Sequence, residues 1–247
     1  MTEPSDRDAD EGSAAPRRRR RRWPLVVAAA LVVVVVGGWT VVGVLFERTD
    51  TATTVLPGPV TALVLEVDAG DVLLVAGDDD DLVVERTSNY TIRGPGLTAE
   101  VVDGVASVTA TCARPSLRGC SVEHRITVPT GVRIEIDVAD GGVRLAGLDG
   151  WVSVVAGGAV EGTDLVGAEV LVATSGSPVV LAFAAPPSRV DVTSDGGAVT
   201  LALPGGPYAL TAETDGGAVT ADVPTDTFAE RLLRVATGGG PVVLERG

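Results

Sequence analysis

Arg189-Val-Asp-Val-Thr-Ser-Asp-Gly-Gly-Ala-Val-Thr-Leu-Ala-Leu203 is followed by Ala209-Leu-Thr-Ala-Glu-Thr-Asp-Gly-Gly-Ala-Val-Thr-Ala-Asp-Val223. In each stretch every second residue is apolar or small, and a Gly pair divides the stretch in two. Val190, Val192 and Ser194 lead to Val199, Leu201 and Leu203; Leu210, Ala212 and Thr214 lead to Val219, Ala221 and Val223. The advance between the two is 20 residues at every position. Alternation of this kind is the period of a β-strand with one face buried, and no helical period competes with it.

The same register extends outward from this pair. Upstream it takes in Val170, Val172, Thr174, Val179, Leu181 and Phe183, and downstream, after a shift of 23, Leu233, Val235, Thr237, Val242 and Leu244. Ile134, Ile136, Val138, Val143 and Leu145 keep the internal spacing, as do Leu63, Leu65, Val67, Val72 and Leu74. The unit from Trp151 to Val160 reads as degraded, and residues 75–130 fit poorly. Turns at Asp140-Gly141-Gly142, Gly157-Gly158, Asp195-Gly196-Gly197, Asp215-Gly216-Gly217 and Gly239-Gly240 divide the strands. Glycine supplies positive φ at such corners and Asp can bond the backbone.

A single unit cannot bury its apolar face, so neighbours must stack at roughly 4.8 Å. Direct stacking would set Val190 beside Leu210 and Val199 beside Val219. The fold expected is all-β, a right-handed parallel β-solenoid of about 20-residue rungs behind one N-terminal transmembrane helix. The alternative is an antiparallel β-sandwich or meander, because Asp-Gly-Gly is also a hairpin signal.

The N-terminal part carries the topology. Residues 1–22 read as a disordered cytoplasmic tail ending in Arg17, Arg18, Arg19, Arg20, Arg21 and Arg22. Residues 23–46 follow as a transmembrane helix: the run Leu25 to Phe46 is uncharged and, at 1.5 Å per residue, about 33 Å long, enough for a hydrocarbon core of roughly 30 Å. A cleaved signal peptide would have a shorter apolar core and a small-residue cleavage site. The arginine block therefore stays inside and the chain beyond is exported, a single-pass protein of the cell membrane. Residues 47–59 read as a linker and 60–247 as the extracytoplasmic β-repeat domain.

The chain has 247 residues and a formal charge of −14. Its first 46 residues hold 7 of the 19 arginines and 5 of the 33 carboxylates, which leaves 12 against 28 beyond, a net −16. Binding nucleic acid needs a basic face, so that class of partner is excluded. The partners expected are the membrane itself and an envelope glycan or protein. Cys112 and Cys120 fit an oxidising compartment, where they can close a loop worth roughly 2 to 3 kcal/mol.

The chemistry-bearing residues are few. His124 is the sole histidine, in Ser121-Val-Glu-His-Arg125, but alternation puts Ser121 and Glu123 on the opposite face from it. Asp78, Asp79, Asp80 and Asp81 are weak metal candidates that lack the ligand spacing of a calcium loop. Asp195 and Asp215, one rung apart, would repel by roughly 1 to 3 kcal/mol. No catalytic residue, no metal site and no cofactor is expected, and the chain is read as a non-enzyme.

The run Ile126-Thr-Val-Pro-Thr-Gly-Val-Arg-Ile-Glu-Ile-Asp-Val138, with Asp140 to Gly150 after it, resembles the bacterial adhesin-like β-strand repeat family of membrane-anchored surface proteins. The resemblance covers about residues 60–247. It implies a parallel β-solenoid, envelope exposure, and a role in adhesion or envelope stress, with no catalytic residues. The irregular 75–130 section and the Cys112–Cys120 loop depart from it. A surface interaction module is thus the leading expectation. An envelope-stress sensor signalling through the helix is the alternative, with a cell-wall glycan-active enzyme a further one.

The topology has a direct test. A reporter active only outside the cytoplasm, fused after Gly247, should give signal in intact cells, and changing all six residues Arg17–Arg22 to Gln should reduce it by inverting part of the population. A reporter silent in the unchanged protein would refute the orientation.

Overall fold

A computed structural model describes residues 48–91, 93–112 and 119–247. The tail, the arginine block and the apolar run that reads as a transmembrane helix lie outside the described residues. Among the described residues no helix is long and apolar enough to cross a membrane. The described chain is all-β, with 19 strands in two mixed sheets of ten and nine strands.

From residue 133 the chain passes back and forth between the sheets. β8 (Arg133–Val138), β10 (Trp151–Ala156), β12 (Glu169–Thr174), β14 (Arg189–Ser194), β16 (Ala209–Thr214) and β18 (Leu232–Thr237) lie in the nine-stranded sheet. β9 (Val143–Ala146), β11 (Val160–Leu165), β13 (Val179–Phe183), β15 (Val199–Leu203), β17 (Val219–Ala221) and β19 (Val242–Arg246) lie in the other. All pairings among these twelve are parallel and in the phase read from the sequence: Val170 lies opposite Val190, and Val179 opposite Val199. Inward residues of both sheets, Val190, Val192, Val199 and Leu201 among them, are buried in one shared core.

The order of the strands differs from the expected one at the C-terminal end. Val190 lies beside Leu233, not Leu210, and Val199 beside Val242, not Val219. The last strand pair in sequence, β18–β19, is inserted between β14–β15 and β16–β17, and Leu210 pairs with Leu233 instead. The alternation has no preference here, because Leu233 and Leu210 present the same phase to Val190. One consequence removes an expected strain. Gly238 lies over Asp195, between it and Asp215, so the two carboxylates are not stacked one spacing apart.

The N-terminal end is built the same way. β2 (Ala62–Val67) and β3 (Val72–Ala76) lie between β8–β9 and the strands β6 (Val105–Thr111) and β7 (Ser121–Val128), again in parallel. Antiparallel strands then close that end: β4 (Leu82–Tyr90) on β7, β1 (Arg48–Leu56) on β4, and β5 (Gly96–Val102) on β6. The antiparallel alternative thus describes only this end. Residues 48–56, read as linker, form β1. The poor fit of 75–130 is explained by the hairpin β5–β6, whose turn holds Asp103 and Gly104 at positive φ.

The degraded unit is a complete one. Gly162 stands where Leu181 stands in the next strand, and a bulge between Gly162 and Leu165 delivers Leu165 to fill the space. A Cβ on Gly162 would sit 2.7 Å from Leu165 Cδ1.

The corners explain why glycine recurs, and the reason is mainly proximity. Gly216 and Gly239 do have positive φ, but Gly196 does not, and a Cβ there would come no nearer than 3.9 Å to Gly238 O. Gly197, by contrast, would place a Cβ 2.1 Å from Ser177 O, Gly240 one 2.1 Å from Gly197 O, and Gly217 one 2.2 Å from Gly240 O. Each carbonyl occupies the volume a side chain would need in the neighbouring corner.

Hydroxyls close the same corners from inside. Thr174, Ser194, Thr237 and Thr214 are register partners in adjacent strands. Thr174 Oγ1 donates to Ser177 O at 2.9 Å, Thr237 Oγ1 to Gly240 O at 2.7 Å and Thr214 Oγ1 to Gly217 O at 2.7 Å. Ser194 Oγ accepts from Gly197 N at 2.9 Å. Buried hydroxyls are tolerated because each is bonded. Aspartates seal other turns: Asp71 accepts from Gly142 N, Asp149 from Gly131 N and Asp68 from Cys112 N. The Asp140, Asp195 and Asp215 carboxylates are not the source of these bonds.

Gly197→Ala should therefore destabilise the fold by about 3 kcal/mol, while Gly196→Ala should change it by under about 1 kcal/mol. Chemical denaturation of the two variants checks this; equal effects would place the cause in backbone freedom instead of corner contact.

Candidate functional surface

His124 points into the core on β7, between buried Val122 and Ile126, and is itself 3% exposed. Its Nδ1 lies 3.1 Å from Val122 O, which accepts from it when that nitrogen carries the proton. Ser121 and Glu123 face the other way, so the sheet separates His124 from both. Asp78, Asp79, Asp80 and Asp81 form an exposed turn between β3 and β4, where Asp81 Oδ1 accepts from Gly58 N at 3.0 Å. Among the described residues no group of three His, Cys, Asp or Glu side chains could hold a metal ion.

Cys112 and Cys120 are joined by a disulfide. It closes the connection between β6 and β7, which crosses from one sheet to the other where other strand pairs use a glycine corner. Cys112 N donates to Asp68 Oδ2 at 2.9 Å and Val122 N to Ala69 O at 2.8 Å, so the loop's two ends rest on the corner of β2–β3.

A further candidate is the outward surface. The connections from 139 to 221 are three to five residues long, so the sheets themselves form that surface. On the ten-stranded sheet one row of register partners runs straight across: Thr53, Glu85, Arg125, Leu73, Arg144 and Glu161, then Val180, Thr200, Val243 and Thr220. At about 4.8 Å per strand the row is about 43 Å long. Its first part is charged in both signs, with Arg125 Nε 3.8 Å from Glu85 and Arg144 Nε 3.3 Å from Glu161. These pairs are more than half exposed, so each adds little stability. Leu73 lies between the two arginines, and Thr51, Thr87 and Glu123 line the same shallow groove. The row is not legible in the sequence, because residues from 53 to 243 meet in it only through pairings distant in sequence.

The other sheet is different in character. Glu66 lies directly opposite Asp137, with Glu135 nearby on the same face. Arg133 stacks over the Trp151 ring at 3.5 Å on the neighbouring strand, a cation–π contact.

Burial lowers the His124 pKa to about 4 from its ordinary 6.5, with the backbone bond to Val122 opposing and the nearby Arg86 charge reinforcing the shift. The unfolded chain therefore binds a proton between these values that the folded chain does not. Stability from this group is present above about pH 6.5 and is lost as pH falls toward 4, by about 3 kcal/mol. The difference between the pH–stability curves of the protein and of His124→Leu should show that loss; parallel curves would contradict the buried neutral imidazole.

No protein-family model matches the chain, and no curated protein does. Among solved structures the chain is similar to a "putative cell adhesion protein" from Clostridium sporogenes, at 14% identity over 81% of this chain and 100% of that one, TM-score 0.49. It is also similar to a "putative adhesin" from Bacteroides fragilis, at 12% identity over 80% and 97%, TM-score 0.42. A third, a "putative adhesin" from Parabacteroides merdae, has 9% identity over 80% and 96%, TM-score 0.33.

Proposed function

We propose that this protein is a non-enzymatic, membrane-anchored interaction module: a right-handed parallel β-solenoid held outside the cell by the apolar run 25–46 and presenting its sheet faces to an envelope polymer. The observation that carries this reading is the row from Thr53 to Thr220, a continuous line of outward register partners on sheets whose connections from 139 to 221 are three to five residues long. A linear ligand suits such a row better than a compact substrate does, since one extended chain can touch successive strands. The mixed charges at Glu85, Arg125, Arg144 and Glu161 favour a glycan or polypeptide bearing both donors and acceptors. The acidic balance beyond residue 46 disfavours polyanions.

A binding screen of residues 48–247 against isolated glycans and envelope fractions, with and without calcium, tests this reading. Retention by at least one fraction is expected, together with its loss in the double variant Arg125→Glu, Arg144→Glu at unchanged melting temperature. Turnover of a cell-wall glycan, or binding indifferent to the double variant, would overturn the assignment.

A further inference from the structure

The C-terminal end of the strand stack is open. Among the described residues, β16 and β17 each lie at one end of their sheet and are paired on one side only. Their inward row is also left uncovered: Val219 is 46% exposed, whereas its register partner Val242 is fully buried. Leu210 and Ala212 are half-buried beside the buried Leu233 and Val235. The opposite end also finishes in edge strands, β1 and β5, but there the outermost pairings are antiparallel.

The hydrogen bonds identify which backbone groups face outward. Ala209 N and Asp215 N donate inward, to Arg231 O and Thr237 O, so the alternating residues Leu210, Ala212 and Thr214 present their N–H and C=O groups to the open side. On β17, Asp222 N donates to Leu244 O, so Val219 and Ala221 face outward in the same way.

The chain itself begins to fill this edge. Tyr208 bridges Thr225 in parallel; Tyr208 N donates to Pro224 O at 3.0 Å and Asp226 N to Tyr208 O at 2.9 Å. The crossover then turns away, with Phe228 N bonded to Asp226 Oδ1 and the Phe228 side chain 92% exposed. A strand thus starts on the edge and stops just before Leu210.

We propose that the β16–β17 edge takes an extended basic peptide of a partner protein as an added strand, continuing where Thr225 leaves. Charge selects the occupant. Asp195, Glu213 and Asp215 line one shallow recess at this corner, and Asp222 stands beside β17, answered by Arg246 only at 4.0 Å. A second copy of the chain would bring the same carboxylates against these, whereas arginine or lysine side chains would neutralise them. The uncovered inward row accepts aliphatic residues, so the peptide alternates basic and aliphatic side chains, the pattern of strand addition. The inference does not depend on what the sheet faces bind.

The experiment uses the full chain in detergent micelles and a fluorescent octapeptide of alternating arginine and valine, followed by anisotropy. Saturable binding is expected. N-methylation of alternate peptide amides should weaken it at least about tenfold, as should Glu213→Arg combined with Asp215→Arg. Ala212→Pro should abolish it, because that N–H faces outward and its loss leaves the pairing with β18 intact. Should Ala212→Pro fail to melt cooperatively, the charge variant and the methylated peptide decide. Absence of binding, equal binding of the methylated peptide, or indifference to the charge variant would each overturn the proposal. So would a dimer of the full chain that Ala212→Pro converts to monomer, since the edge would then belong to a second copy.

Discussion

Corner on corner, the backbone of one turn rests against the backbone of the next, and the rest of the molecule follows from that closeness. Gly141 lies against Gly70 O, Gly158 against Gly141 O, Gly240 against Gly197 O and Gly217 against Gly240 O, each so near that a Cβ would meet the carbonyl at 2.0 to 2.4 Å. Side chains at these points would hold the turns apart, and the strands leaving them could not close to the spacing of a parallel ladder. The same closeness lets Val and Leu of adjacent strands touch along the interior, which is where the stabilising burial arises. In the corner that lacks glycine at this point, Ser177 supplies the carbonyl against Gly197, and its hydroxyl donates to Gly157 O. The small side chain turns aside and bonds the neighbouring backbone.

The hydroxyl ladder completes this arrangement. Val138 and Ala156 occupy its line in the earlier strands, and Thr174, Ser194, Thr237 and Thr214 in the later ones. At the corners that follow Thr174, Thr237 and Thr214, the carbonyls of Ser177, Gly240 and Gly217 accept from these hydroxyls, and an apolar residue there would remove that bond. A buried hydroxyl at that point gains a partner and gives one. The corner and the last residue of the preceding strand are therefore chosen together.

Period-two alternation fixed which residues point inward, from Leu63 to Leu244, because burial on one side demands it whatever the order of strands. It is silent on that order. Val190, Leu210 and Leu233 carry the same phase, so shifts of 20 and 43 residues are equally good, and only the connection lengths distinguish them. The stretch 222–231, with Pro224 and the bonded turn at Asp226, is twice the length of its neighbours and was the available sign of a crossover. At the other end Asp103-Gly104 marked a hairpin, but the disulfide loop and the long β4 concealed where its strands would pair. His124 and the separation of Ser121 and Glu123 from it were legible, being consequences of alternation alone. The surface row on the ten-stranded sheet was not, since its ten members come from strands brought together only by tertiary pairing.

A division of labour between interior and exterior follows. Stability rests on the buried row, the corner glycines, the hydroxyls and the disulfide, all of which lie inward or at the turns. Outward side chains meet neighbours on the same face, and the ion pairs along the row, Glu85 with Arg125 and Arg144 with Glu161, are exposed and weak. Substitution along the row changes charge and shape at the surface without disturbing the stack. A scaffold of this kind can vary its outward side chains while the fold stays fixed, as the proposed interaction role requires. The exception is the open end, where β16 and β17 carry both structure and exposure in the same residues. There Ala212 and Ala221 stand opposite Val235 and Leu244, so the last strands present smaller inward side chains than the strands they pair with. Occupation of that edge would add pairing where the molecule has least, coupling recognition to the stability of its final strands.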